Sequence, residues 1–279
     1  MKYYIKQFVC LIVYVLKLLV KGRIFGRYPY KKRFSGRMAI LANGPSLKEI
    51  LPEIGVKEEF NNVEFTVMNF FAFDSAFQRI KPRFYCLADP MYIRKDHRYE
   101  EVKRLFYHLQ TNVDWDMDLF IPKQWKRKFI HYSLLTNPHI HIVCVNVIIY
   151  EGTGRNWLFK KNLAIPGVIT VAQLGIYAAI NNGFEEINLY GVEHNIICSL
   201  FVNDKNQLCS KEEHFYNSSA TLKPMLSDGK PYKIAKYLLE TGALFHIHDL
   251  LRNYADSLNV KIINCTPMSM IDSYDRIKF

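Results

Sequence analysis

From Arg37 onward, short apolar runs alternate with amphipathic stretches. The runs at 38–42, 64–69, 84–88, 118–121, 141–147, 186–190 and 260–264 predict strands. Residues 47–54, 72–79, 99–109, 169–182, 232–239 and 245–258 carry helical periodicity. The clearest unit spans 165–191. Pro166-Gly167 opens it, Val171, Leu174, Ala178 and Ala179 form an apolar stripe, and Gly183 ends the helix. Ile187-Asn188-Leu189-Tyr190 then reads as a buried strand that closes on Gly191. This alternation predicts an α/β chain: a Rossmann-like, mostly parallel sheet with helices on both faces. Ligands in such sheets sit beyond the carboxyl ends of the strands. Asn43, Asn69, Asp89, Glu193 and Thr266 stand there.

Between Gly191 and Pro231 the periodicity dissolves into polar residues with scattered aromatics, among them Phe201, Phe215 and Tyr216. A long irregular stretch inside a compact domain is usually functional. Residues 192–230 are therefore expected to be a lid on a single Rossmann-like domain spanning 37–279.

Residues 1–36 differ in kind. An apolar run from Phe8 to Leu16 continues through Leu18-Leu19-Val20 after Lys17. It falls short of the roughly 20 residues needed to span a bilayer. Through Arg37 this end of the chain holds Lys2, Lys6, Lys17, Lys21, Arg23, Arg27, Lys31, Lys32, Arg33 and Arg37, with no acidic residue. Basic groups near anionic lipid contribute about 1 kcal/mol each. The segment is expected to be a basic, amphipathic anchor, peripheral or monotopic, on the cytoplasmic face of the inner membrane; a helix packed against the domain fits the same residues.

Charge elsewhere is balanced. The chain carries 37 basic and 26 acidic residues, a formal net charge of +11, and the N-terminal segment supplies nearly all of the excess. The body therefore lacks the footprint of a nucleic-acid binder. Six scattered cysteines without a C-x-x-C pair read as buried thiols rather than disulfides or a zinc site. Self-association is left open.

The first strand breaks into Asn43-Gly44-Pro45-Ser46 before an amphipathic segment. Proline suits a first helical turn and glycine lets backbone approach a ligand closely. A helix beginning there would offer free amides and a positive dipole end to a phosphate. An ordinary βα turn without a ligand fits the same four residues.

In order along the chain, several motifs resemble the bacterial sialyltransferases of the Campylobacter lipooligosaccharide type, glycosyltransferase family 42. They are Asn43-Gly44-Pro45-Ser46-Leu47, Asn69-Phe70-Phe71, Asp89-Pro90, the helix–strand unit from Gly167 to Gly191-Val192-Glu193, and Cys265-Thr266-Pro267-Met268-Ser269. Asp89 replaces that family's asparagine, and His194-Asn195 replace its paired tyrosines. The opening motif also resembles the related MptE-like pyrophosphokinase family. The first resemblance implies transfer of a sugar, CMP-activated and sialic-acid-like, from a nucleotide donor to a cell-surface glycan or lipid-linked acceptor. No cofactor is required for it. The second implies a Mg²⁺-dependent pyrophosphoryl transfer with Asp89 as metal ligand.

Glycosyl transfer needs a held leaving phosphate, a deprotonated acceptor hydroxyl and a stabilised transition state. Asn43, Gly44, Pro45, Ser46, Asn69, Asp89, Gly167, Gly191, Glu193, Thr266 and Ser269 are the expected nucleotide and donor contacts. His214, in Glu212-Glu213-His214-Phe215-Tyr216, is the expected general base, with His194 second and Tyr216 a hydrogen-bond donor to the departing phosphate.

Overall fold

The computed structural model describes residues 2–21, 31–212, 221–227 and 229–277. Its helices are α1 (Lys2–Lys21), α2 (Leu47–Ile50), α3 (Ala76–Ile80), α4 (Tyr99–Asn112), α5 (Lys126–Ser133), α6 (Arg155–Lys160), α7 (Val171–Asn182) and α8 (Ile234–Asp256). The first six strands are β1 (Arg37–Leu41), β2 (Val63–Met68), β3 (Phe84–Cys86), β4 (Met117–Pro122), β5 (Ile140–Val145) and β6 (Glu186–Tyr190). Seven more follow: β7 (Leu200–Val202), β8 (Leu208–Glu212), β9 (Thr221–Pro224), β10 (Leu226–Ser227), β11 (Lys230–Pro231), β12 (Lys261–Asn264) and β13 (Asp275–Arg276).

Eight strands form one sheet in the order β13-β12-β6-β1-β2-β3-β4-β5, and every pairing in it is parallel. The chain walks outward from β1 to β5, then returns to place β6 against the other side of β1. Strand order thus reverses between β1 and β6, which opens a crevice beyond their carboxyl ends.

Side chains alternate across β1 as the two-residue period requires. Met38 and Ile40 join one buried cluster with Leu174 and Tyr177 of α7 and Tyr254 of α8. Ala39 and Leu41 join a second with Leu105 and Phe106 of α4 and Phe129 of α5. Helices therefore cover both faces, and the sheet is buried on both sides. Residues Ala172 through Asn182 of α7 are all buried, because the helix lies between the sheet and α8.

Four expectations are corrected. The described part of residues 192–230 is not irregular: β7, β8 and β9 pair as an antiparallel sheet, and β10 pairs with β11. These strands are short, and Phe201 and Val202 stay exposed, so no apolar alternation marks them. The two helices expected at 232–239 and 245–258 are one, α8. Gly242 sits in open space within it and costs only about 1 kcal/mol of helix propensity. The helix expected at 47–54 is a four-residue turn followed by a 3-10 turn, Leu51–Glu53, with Pro52 near its start. At 72–79, a 3-10 turn (Phe71–Phe73) precedes α3, because Asp74 Oδ1 accepts from the Ala76 amide and starts a new helix.

Within the N-terminal segment, Lys2–Lys21 form α1, and one stripe of it docks on the domain. Tyr14 is buried, its ring 4.7 Å from that of Tyr150 and its hydroxyl donating to the Leu163 carbonyl at 3.3 Å. Burial pushes its pKa up to about 12. Cys10 and Leu18 pack against the same core, and Gln7 Oε1 accepts from the Thr153 amide. Phe8, Leu11, Ile12, Val15, Leu16 and Leu19 remain exposed. Among the described residues, no helix is long and apolar enough to cross a membrane.

Candidate functional site

The turns after β1 and β6 zip together past the strand ends. Ala42 N donates to Tyr190 O and Gly44 N to Gly191 O, each at 2.9 Å. A Cβ on Gly44 would overlap the Glu193 carboxylate and lie 2.5 Å from the Gly191 carbonyl oxygen, so only glycine fits. Gly191 has φ +69° and a Cβ there would meet Leu47 Cβ at 3.0 Å.

Glu193 is buried beneath this junction, at 6% exposure. Its Oε1 accepts from Ser46 N at 2.9 Å and from Ser46 Oγ at 2.5 Å. The next amides, Leu47, Lys48 and Glu49, bond to the carbonyls of Gly44, Pro45 and Ser46. The donors that the sequence assigns to a phosphate are thus engaged inside the chain: those of Ser46 meet the chain's own carboxylate, and the next three amides meet backbone carbonyls.

Thr266 and Ser269 lie beneath the same turn, where they brace it. Thr266 Oγ1 donates to Leu189 O and accepts from Val192 N, both at 3.1 Å. Ser269 Oγ donates to Val192 O at 2.7 Å and accepts from Asn264 Nδ2 at 3.0 Å. Met270 N adds a bond to Glu193 O at 2.8 Å. Both side chains are buried, with every one of these bonds directed at the turn or its support. Their contribution is to the shape of the Gly191-Val192-Glu193 turn.

Asn69 follows β2 with φ +54°, a conformation asparagine tolerates better than most residues. Its carbonyl accepts from Tyr85 Oη at 2.5 Å, and its Oδ1 from Tyr92 Oη at 3.4 Å. Opposite it, α7 begins at Thr170. Gln173, fully buried, accepts on Oε1 from the Ile169 and Thr170 amides and donates from Nε2 to Leu244 O. The amides of Val171 and Ala172, first in the helix, have no carbonyl one turn back to meet.

These elements enclose a cavity of about 260 Å³ lined by Asn43, Gly44, Asn69, Thr170, Glu193 and His194, with Val171 and Ala172 at its α7 end. Among the described residues no lysine or arginine lines it. Attraction for an anion there rests on the α7 dipole and side-chain amides.

His194 has φ +50° and turns its ring against His248, with centroids 5.4 Å apart. Burial lowers its pKa to about 4, partly opposed by Glu193. Burial lowers His248 to about 3, with His194 adding to the effect. His248 Nδ1 lies 2.9 Å from Tyr274 Oη. Both imidazoles are therefore neutral at pH 7.

The other expected residues fall elsewhere. Asp89 is exposed, does not line the cavity, and caps a 3-10 turn (Pro90–Ile93) through the Met91 amide at 2.9 Å. Gly167 is buried where a Cβ would strike Ile247 at 2.5 Å, so it serves the packing of α8. His214 and Tyr216 lie outside the described residues. Among those residues, no group of three or more His, Cys, Asp or Glu is placed to hold a metal ion. Sequence reasoning missed the Thr170-Val171-Ala172 wall. Its signal was present as a Thr170-x-x-Gln173 capping spacing just after Pro166-Gly167.

No family model matches the chain, and no curated protein matches it. Among solved structures, it is similar to the sialyltransferase CstII from Campylobacter jejuni in complex with a substrate analogue, cytidine-5'-monophosphate. That likeness has a TM-score of 0.43 and 14% identity, covering 87% of this chain and 84% of the other.

Proposed function

We propose that the cavity between β1 and β6 binds the nucleotide of a CMP-activated, sialic-acid-like sugar, and that the chain transfers the sugar to a cell-surface glycan or lipid-linked acceptor. One observation carries this reading: the cavity at the reversal of strand order is lined by the Asn43 and Asn69 amides and closed by the first turn of α7. Neutral amides suit a nucleoside and sugar hydroxyls, and the helix start suits the phosphate.

In the transfer, the acceptor oxygen attacks the anomeric carbon as the bond from that carbon to the phosphate oxygen breaks. CMP leaves with the bonding pair, and the acceptor proton passes to a base. A general base works best with a pKa near the operating pH. His194, at about 4, is too weak a base for this and serves instead as a neutral hydrogen-bonding wall. His214 is the base in this scheme, and Tyr216 donates to the departing phosphate. Glu193 holds the β1 and β6 turns in register for the donor.

The reaction belongs at the cytoplasmic face of the inner membrane, held there by α1. Its exposed apolar side chains lie on a segment rich in Lys and Arg, as an interfacial helix requires.

Thermal unfolding with CMP, CDP, UDP, GDP, ATP and ADP, each with and without Mg²⁺, tests the nucleotide. A ligand at about 100 times its Kd adds roughly 2.7 kcal/mol. Stabilisation by CMP or CDP without metal supports the reading. Stabilisation only by ATP or ADP with Mg²⁺ overturns it.

A further inference from the structure

A second cavity, of about 420 Å³, adjoins the first along the Asn43-Gly44-Pro45 turn. Those three residues line both spaces, so a single turn of backbone separates their contents. Beyond the turn, Phe70 and Phe73 form an aromatic wall, and Lys48 and Asp74 stand at the same cavity.

The local sequence explains the wall. Asn69 turns the chain left-handed after β2 and is pinned through its carbonyl by Tyr85. The 3-10 turn that follows buries Phe71 and Ala72, which leaves Phe70 half-buried and Phe73 on the open side at 44% exposure. The two rings lie nearly parallel, 9° apart in plane and 6.0 Å between centroids. Phe73 is steadied at its edge by His108, and the Arg98 guanidinium sits 4.3 Å from the Phe70 centroid. The aromatic surface is therefore presented on a braced turn rather than a loose loop.

We propose that this groove is the acceptor subsite and takes a neutral pyranose ring stacked on Phe73. A pyranose has a face of C–H bonds that matches an aromatic ring, and a rim of hydroxyls that both donate and accept. Asp74 accepts from such hydroxyls and Lys48 donates to them. The name acceptor subsite rests on the reading of the first cavity as the donor site: an acceptor hydroxyl must reach the anomeric carbon across the shared turn.

Saturation-transfer NMR on the full chain, with methyl β-D-galactopyranoside and methyl β-D-glucopyranoside as probes, tests the groove without requiring turnover. Wild type is expected to transfer saturation most strongly to ring C–H protons. Phe73→Ala should bind about fivefold more weakly, and Phe73→Trp should restore the signal. CMP stabilisation should be the same in Phe73→Ala as in wild type. The proposal falls if neither glycoside binds wild type, if Phe73→Ala binds as well, or if CMP displaces the sugar. If the sugar binds through Phe73 but CMP fails to stabilise wild type, the donor reading falls and the groove stands as a sugar site.

Discussion

Glu193, at the end of β6, accepts from both the amide and the hydroxyl of Ser46, after β1, and so ties together the two turns that flank the reversal of strand order. A carboxylate buried at this junction is stabilised by the two bonds it receives. Ser46→Ala removes the shorter one and leaves the carboxylate short of a donor, at an expected cost of about 1–3 kcal/mol. Gly44→Ala should cost more, since the new methyl overlaps the carboxylate and crowds the Gly191 carbonyl. Urea unfolding of both variants checks the order. Equal stability of Gly44→Ala and wild type would remove the packing role assigned to the glycine.

His194 and His248 give stability a defined dependence on pH. Both are held neutral in the fold, at about 4 and about 3, against an unfolded value near 6.5. Between those limits the unfolded chain binds more protons, so stability rises with pH. It is fully present above about pH 6.5 and is lost as pH falls towards 4. For His248 alone the loss from pH 7 to pH 4.5 is on the order of 2 kcal/mol. Melting temperature should drop across this window, and less steeply in His248→Gln. An identical slope in that variant would place the titration elsewhere.

The two histidines of the proposed site should separate kinetically. His214→Ala is expected to lose at least about 100-fold in turnover, as a general base does, while CMP binding is retained. His194→Gln keeps a neutral hydrogen-bonding side chain and should lose less than about tenfold. CMP release from a CMP-sugar reads both. A larger loss from His194→Gln would reverse the assignment.

At the membrane, the side of α1 facing away from Tyr14 is the test. Wild type should sediment with vesicles containing phosphatidylglycerol and should release as salt rises, since basic residues supply part of the attraction. Leu16→Glu with Leu19→Glu alters two exposed positions, so the fold should persist while vesicle binding drops about tenfold or more. Unchanged sedimentation would reject this face as the contact.

How much of this was legible before the structure depends on what each residue's side chain reveals. Strands buried on both faces read as apolar runs, and β1 to β6 all lie within two residues of their expected bounds. Of the five residues just after strands, Asn43, Asn69 and Glu193 line one cavity, while Asp89 and Thr266 do not. The α7 wall was harder to see, because its contribution is backbone amide rather than side chain. Thr266, by its place just after a strand, and Ser269, by the resemblance of the 265–269 segment, read as ligand contacts, yet their hydroxyls bond to the Val192 and Leu189 backbone. The partner that would have shown this, the turn of β6, is more than seventy residues away along the chain.

A crystal structure of the full chain with CMP tests the central claim most directly. The cytidine nucleotide is expected between Asn43 and Asn69, with its phosphate at the first turn of α7 and no metal beside it. Nucleotide seated in the Phe70–Phe73 groove, or absent from the β1–β6 cavity at saturating CMP, would contradict it.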